Sequence, residues 1–446
     1  MTVQSDSKWL SALPIFLKKR IEGRHNLQKI LGNTGWLFFD KILRMGVGLI
    51  VGVWVARYLG PEQFGAFNFA IAFVALFGAF ASLGLDGIVV RDIVREPERK
   101  YEILSSAFIL KLCGGCVAFL LSFAAIFIMR PAESQTHWLV GIIAAGMIFQ
   151  AFDAIDLWFQ SQVKSKYTVI AKNSAFVIFA LVRVLLILSK SPLTAFAWAA
   201  LAEIITGAAG LAFFYLRSQS LVSLWCPKIV TARRLVKESW PLILSGLAVM
   251  IYMRIDQIML GQMMGNKEVG LYSAALRLSE IWYFIPMAIV SSVMPSLTQA
   301  RLESKEKFFL RLQQLFNNLV RIAYVIAIPM TFISTFLVTS LYGHDYSKAG
   351  LILAIHIWSA VFVFLGVGMS PWTLNEGMIK YSLIQTVGGA IVNICLNIYL
   401  IPRYGATGAA TATLISQMLA SFIFNVTLPE LRIIFKMQLR ALIRPI

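Results

Sequence analysis

Charged residues are scarce in this sequence. Only 14% of its 446 residues are Asp, Glu, Lys or Arg, and 58% are hydrophobic, whereas about 25% of the residues in soluble domains are charged. This composition argues against a soluble protein. A membrane-spanning helix needs roughly 20 apolar residues, so the length fits a polytopic membrane protein with about twelve spans and no appended soluble domain.

Cysteine and histidine are also scarce, with four residues of each. Cys113 and Cys116 lie in an apolar run with no other cysteine or histidine nearby, so we interpret them as structural thiols and not as a redox or metal pair. The histidines are far apart, and the sequence contains no G-x-x-x-x-G-K-[ST] motif. We therefore expect no metal site, no cofactor and no ATP hydrolysis within this chain.

Apolar runs are what the sequence has in abundance. Separated by charged or turn-rich segments, they predict an all-α protein with about twelve membrane-spanning helices. The approximate limits of these spans are 34–57, 64–90, 103–129, 137–160, 167–188, 193–216, 240–262, 271–298, 316–342, 350–374, 380–401 and 407–428.

The basic residues are unevenly distributed between alternate connections. If the N-terminus is cytoplasmic, the inner segments hold 26 Lys and Arg residues and the outer segments hold 6. This bias follows the positive-inside rule and predicts that both termini are cytoplasmic. It also accounts for the formal charge of +18 without a nucleic-acid partner.

Two segments of the sequence recur at corresponding positions. Gly60–Ala70 matches Gly265–Ala275, and Trp158–Tyr167 matches Trp372–Tyr381. Such repeats predict two parallel six-helix halves around a central cavity. We therefore divide the chain into a basic cytoplasmic segment (1–33), an N-terminal half (34–216), a cytoplasmic linker (217–239), a C-terminal half (240–428) and a basic cytoplasmic tail (429–446).

The start of the first span resembles a known family. Asn33–Trp36, then Asp40, Lys41 and Arg44, then Val55–Gly65 resemble the beginning of the O-antigen type of polysaccharide-biosynthesis flippases. These belong to the multidrug/oligosaccharidyl-lipid/polysaccharide exporter superfamily. The resemblance implies a bacterial inner-membrane protein that moves an undecaprenyl-diphosphate-linked oligosaccharide to the periplasmic leaflet by alternating access, using a H⁺ or Na⁺ gradient. It also implies that other polysaccharide assembly proteins are partners.

Several cations lie within the predicted spans, where each costs about 2.5–3.5 kcal/mol at a helix centre unless it faces a cavity or a partner. Guanidinium groups bind phosphate oxygens in a bidentate manner, so they suit a diphosphate. The alternative is that a neighbouring carboxylate neutralises each cation and ties helices together, and Arg183 could instead reach the membrane interface. The candidate substrate contacts are Lys41, Arg44, Arg183, Arg254 and Arg277.

Carboxylates within the spans are candidates for ion coupling. They are Asp40, Asp153, Asp156, Glu203, Asp256 and Glu280. Asp153 and Asp156 share one helix face, and packing at a helix end explains them equally well. Lys172 lies near a span end, and we interpret it as an interface anchor. Gly48 and Gly52 form a G-x-x-x-G pattern, which favours close helix packing.

Two other functions compete with a flippase. A multidrug/ion antiporter of the same superfamily would accept cationic drugs, and five intramembrane cations argue against it. A membrane-embedded polysaccharide polymerase or ligase usually needs a sizeable outer loop for its catalytic groups. Every predicted outer connection is short, so we rank the enzyme last.

Overall fold

A computed structural model describes residues 25–218 and 225–444. In these two ranges the regular backbone is helical and contains no strand, which confirms the predicted all-α class. Most of the predicted N-terminal segment and residues 219–224 of the predicted linker lie outside the described ranges.

The helices before the linker begin with one that is broken by a glycine. Gly60 has φ 70° and ψ 170°, a left-handed conformation that favours glycine, and Pro61 then starts the next helical segment, where its missing N–H is tolerated. The helices are α1 (His25–Leu76), α2 (Gly78–Ser82), α3 (Asp86–Arg95), α4 (Lys100–Met129), α5 (Ser134–Phe149), α6 (Asp153–Ser161), α7 (Lys166–Leu188) and α8 (Leu193–Ser218).

The helices after the linker include a second one that a glycine interrupts, at Gly405 with φ 56° and ψ −137°. They are α9 (Ile229–Met263), α10 (Asn266–Glu280), α11 (Phe284–Glu303), α12 (Lys305–Tyr342), α13 (Ala349–His356), α14 (Ser359–Asn375), α15 (Ile379–Met418), α16 (Phe424–Thr427) and α17 (Arg432–Ile443).

The described residues contain ten helical stretches that are long and apolar enough to cross a membrane. Two of these stretches contain the breaks at Gly60 and Gly405, so each of the two divides into two helical segments. The second segment is shorter than predicted, because Leu83 and Gly84 adopt positive φ and α3 then forms a separate helix. Residues 229–239 of the predicted linker are the first turns of α9.

The repeated connectors have matching backbone conformations. Gly60 (φ 70°, ψ 170°) corresponds to Gly265 (φ 89°, ψ 176°), and each precedes a helix. In the second repeat, Val163 and Gly377 occupy matching positions and both have positive φ. The turn conformations therefore follow the sequence repeat, while the boundary between the halves stays a prediction.

Four glycine turns meet at one end of the helix bundle. We call this the glycine-turn end, defined by the turns at Gly60, Gly265, Gly343 and Gly405. Tyr346, after Gly343, donates a hydrogen bond to the carbonyl of Ala56 in α1 at 2.7 Å. The N–H of Ala406 donates to Glu268 in α10 at 2.9 Å. The first contact joins the two predicted halves, and the second joins two turns of the C-terminal half.

The two halves touch backbone to backbone at this end. A Cβ atom added at Gly65 would lie 2.8 Å from the nitrogen of Gly270 and closer still to the carbonyl oxygen of Asn266. A Cβ atom added at Gly270 would lie 2.8 Å from the carbonyl carbon of Pro61 and closer still to its oxygen. We call this reciprocal contact the glycine seam. It leaves no room for a side chain on either glycine.

Ion pairs dominate the opposite end, which we call the charged end. They join α3 and the start of α4 to the first turns of α9. Arg234 of α9 pairs with Glu96 at 3.0 Å and with Asp92 at 3.4 Å, and Lys228 pairs with Glu102 at 3.0 Å. The first turns of α9 are therefore fixed to the N-terminal half.

Candidate functional site

A cavity of about 430 Å³ lies between α1, α9 and α10, where the two predicted halves meet. Its volume is within the range of small-molecule sites. The residues that line it are Arg44, Met45, Gly48, Leu49, Asn68, Ile71, Arg254, Gln257, Ser273, Leu276, Arg277, Glu280 and Ile281. Three of the five predicted cations are thus brought together in one cavity.

The arginines of this cavity differ in how they are neutralised. Arg44 pairs with Asp40 at 2.8 Å and lies 5.2 Å from the ring centroid of Phe176. In the described ranges, neither Arg254 nor Arg277 has a carboxylate within 4.0 Å, although Glu280 lines the same cavity. The cavity therefore carries an excess of positive charge, and the alternative pairing of Arg277 with Glu280 is not formed in this structure.

Gly52 makes room for the guanidinium group of Arg277. A Cβ atom at position 52 would lie 2.9 Å from Cζ of Arg277 and closer still to Nη1. At Gly48 the corresponding atom would meet only Phe176, at 3.7 Å. The G-x-x-x-G pattern of α1 thus creates space for a charged side chain, a role that its sequence did not distinguish from helix packing.

The two remaining predicted cations line neither this cavity nor the smaller one described next. Lys41 is exposed, and its Nζ lies 5.2 Å from the ring centroid of Phe284. Arg183 pairs with Glu203 of α8 at 2.6 Å. Neither side chain lines a cavity together with the three clustered arginines.

A second cavity, of about 210 Å³, adjoins the first through Arg44, which lines both. It lies within the N-terminal half. Lys172 of α7 reaches into it and pairs with Asp153 at 2.8 Å and with Asp156 at 3.3 Å. Interpreting Lys172 as an interface anchor was therefore wrong. The lining residues are Arg44, Phe149, Gln150, Phe152, Asp153, Lys172, Glu203, Ile204, Gly207, Ala208 and Leu211.

Asp256 lies in a buried polar cluster outside both cavities. One carboxylate oxygen accepts hydrogen bonds from Tyr272, at 2.7 Å, and from Thr413. The other accepts from the amide of Asn397 at 2.6 Å. The amide oxygen of Asn397 is buried and has no hydrogen-bond partner among the described residues. Asp256 thus accepts hydrogen bonds from two hydroxyl groups and one amide N–H, and it is not paired with Arg254, two residues before it in sequence.

Arg130 is a residue that sequence reasoning missed. It follows α4 and is 5% exposed, with its guanidinium carbon 3.8 Å from the ring centroid of Phe69. It donates to the carbonyl of Gly261 and, at 3.1 Å, to the side chain of Asn266. The sequence shows only one basic residue in a short connection, which gives no sign that it joins the halves at the glycine-turn end.

Two family profiles match this chain. The profile described as "Polysaccharide biosynthesis protein" matches residues 30–301, which is more than half of the chain. The profile described as "MatE" matches residues 241–399. The first match includes all three clustered arginines, and the second includes Arg254 and Arg277.

Curated relatives resemble the chain over most of its length. The "Probable low-salt glycan biosynthesis flippase Agl15" of Haloferax volcanii is 25% identical over 391 residues, which cover 85% of this chain and 79% of that protein. The "Putative O-antigen transporter" of Shigella flexneri is 22% identical over 419 residues, which cover 89% and 97%. The similarity extends over both predicted halves.

Solved structures share the fold. The lipid II flippase MurJ, in an inward closed conformation, superposes with a TM-score of 0.71 at 17% identity, covering 93% of this chain and 91% of that one. An inward-facing multidrug resistance MATE family transporter of the MOP superfamily superposes with a TM-score of 0.70 at 16% identity, covering 88% and 96%.

Proposed function

The chain belongs to the polysaccharide biosynthesis protein family and is a glycan flippase of the exporter superfamily, and we propose that its substrate is an undecaprenyl-diphosphate-linked oligosaccharide moved by ion-coupled alternating access. Its place of action is then the bacterial inner membrane. The observation that carries the proposal is the positively charged cavity between the halves.

The charge of this cavity supports an anionic substrate. Removing an unpaired arginine even partly from water is costly, yet Arg254 and Arg277 are half-buried and have no ion pair in the described ranges. A diphosphate supplies oxygens that match the guanidinium fork. Substrate binding would therefore supply negative charge to two arginines that have no carboxylate partner in the described ranges.

The glycine-turn end supports alternating access. The positive-inside bias predicts that this end lies on the periplasmic side. There the glycine seam and Arg130 hold the two predicted halves in contact, which would oppose the exit of a substrate on that side. We infer that these contacts separate when the substrate is released to the periplasmic leaflet.

The Asp256 cluster supports ion coupling. A buried carboxylate can bind a proton, and together with nearby hydroxyl oxygens it can bind a hard cation. The unpartnered amide oxygen of Asn397 fits a cation ligand and has no other role among the described contacts. Tyr272 lies on α10, the helix that carries Arg277, so ionisation of Asp256 acts on a helix that lines the substrate cavity.

The match to the MatE profile keeps a second candidate, a multidrug/ion antiporter. Multidrug carriers of cationic compounds need a cavity that tolerates positive charge, and three arginines oppose this. Loss of drug efflux on gene disruption, with normal lipid-linked glycan in both leaflets, would favour the antiporter.

The test is to disrupt the gene and measure lipid-linked oligosaccharide in each leaflet, then to restore export with variants. Arg277→Ala should weaken substrate affinity roughly ten- to a hundredfold, because a charge-assisted contact is lost. Arg277→Lys should fall between it and the wild type, since the charge stays and the fork is lost. Arg217→Ala, at an exposed arginine outside the cavity, is the control and should export normally.

A double substitution separates substrate contact from helix pairing. If Arg277 only neutralised Glu280 in another conformation, replacing both by Ala would restore export to near the wild-type level at matched membrane abundance. We expect the double variant to remain as defective as Arg277→Ala.

A further inference from the structure

We infer that the second cavity binds the sugar next to the diphosphate, while the first cavity binds the diphosphate itself. This inference rests on the proposed function. The second cavity lies in the N-terminal half, and the sequence suggested its carboxylates for ion coupling. We assign this cavity to sugar recognition instead.

The charges of the second cavity are balanced. Its lining residues carry two positive charges, on Arg44 and Lys172, and two negative charges, on Asp153 and Glu203. A balanced cavity has little attraction for a diphosphate. A neutral ligand rich in hydroxyl groups needs hydrogen-bond donors and acceptors, and it does not need net charge.

Polar atoms remain free to contact such a ligand. The side-chain amide of Gln150 lines this cavity and has no hydrogen-bond partner in the described part of the chain. It offers two donors and an acceptor. Asp153 and Glu203 each use one oxygen in their ion pair and keep the other for a hydroxyl donor. Phe149 and Phe152 add apolar surface, as sites for mixed polar and apolar ligands require.

Arg44 fixes the order of the two groups. It lines both cavities, and Asp40 and the Phe176 ring hold its guanidinium in place. In a glycan lipid the first sugar is joined directly to the diphosphate. A phosphate beside Arg44 in the first cavity therefore places the attached sugar at the mouth of the second.

The experiment measures binding of two probes to the purified full-length protein in lipid nanodiscs. One probe is undecaprenyl diphosphate, and the other is undecaprenyl diphosphate bearing N-acetylglucosamine. Gln150→Leu removes the amide at similar size and should weaken binding of the sugar-bearing probe roughly two- to tenfold while leaving the bare diphosphate unchanged. Gln160→Leu is the matched control, because Gln160 is exposed and does not line the cavity.

Arg277→Ala separates a failure of the sugar site from a failure of the proposed function, because it should weaken the binding of both probes alike. If both probes bind the wild type equally, or if Gln150→Leu weakens both equally, the sugar site is wrong and the diphosphate site stands. If the bare diphosphate does not bind, or if Arg277→Ala leaves its binding unchanged, the proposed function itself is wrong.

Discussion

Gly52→Ala should weaken substrate binding in the first cavity without disturbing the fold. The added Cβ would lie 2.9 Å from Cζ of Arg277 and closer to Nη1, well inside the 3.5–4.0 Å separation that carbon atoms prefer. The guanidinium is the end of a flexible side chain, so it will move while the helices stay in place. Because Ala is favoured over Gly within a helix by about 1 kcal/mol, the thermal stability should be unchanged or slightly higher.

The displaced guanidinium can no longer reach a diphosphate with its wild-type geometry. We expect substrate affinity to fall by about tenfold, approaching the loss in Arg277→Ala. The assay is binding of undecaprenyl diphosphate in nanodiscs, together with export in cells at matched abundance. Gly46→Ala is the control on the same helix, because a Cβ atom there meets nothing within 4 Å.

A double-mutant cycle tests the cause. In the Arg277→Ala background there is no guanidinium to displace, so adding Gly52→Ala should cause little further loss. If Gly52→Ala weakens binding equally in both backgrounds, or not at all in the wild type, then Gly52 does not act through Arg277 and the reasoning is refuted.

Three further predictions concern topology, coupling and the glycine seam. Reporter fusions after Arg217 should report cytoplasm and fusions near Lys267 periplasm, and the reverse result would overturn the orientation. Asp256→Asn should reduce export and its response to an imposed proton or sodium gradient at near-normal abundance; an unchanged response would make Asp256 structural. Gly65→Ala should separate the glycine seam. A cysteine introduced at Ser273 should then react with an impermeant thiol reagent added from the periplasmic side. If this cysteine stays unreactive, the seam does not close that side.

The segments and the clustered arginines could be predicted from sequence because each has a local signal. Apolar length marks a span, and a charge inside a span must face a cavity or a partner. The repeat indicated two of the four glycine turns, since Gly60 and Gly265 begin matching motifs. These signals place Arg44, Arg254 and Arg277 in spans, and their meeting followed from the predicted central cavity.

The pairing of charges could not be predicted, because it depends on contacts between helices. Lys172 lies 16 and 19 residues from the two aspartates with which it pairs. A turn between helices lies within this stretch, so the sequence separation does not fix the distance between the side chains. The burial of Arg130 depends on Phe69 and on the end of α9, which are distant in sequence. The distinction between Gly48 and Gly52 likewise depends on which side chain of another helix approaches each one.

The glycine seam has the reciprocity of a homodimer interface, in which each subunit presents the same surface to the other. In such a dimer every contact away from the symmetry axis forms twice. Here the two copies of the motif lie in one chain and differ in sequence, so a contact can form on one side only. Asn266 offers Arg130 a side-chain acceptor, whereas Pro61, at the matching position of the other copy, has none to offer. The contact made by Arg130 is therefore one-sided, so a change of this single arginine can loosen one flank of the seam and leave the other flank intact.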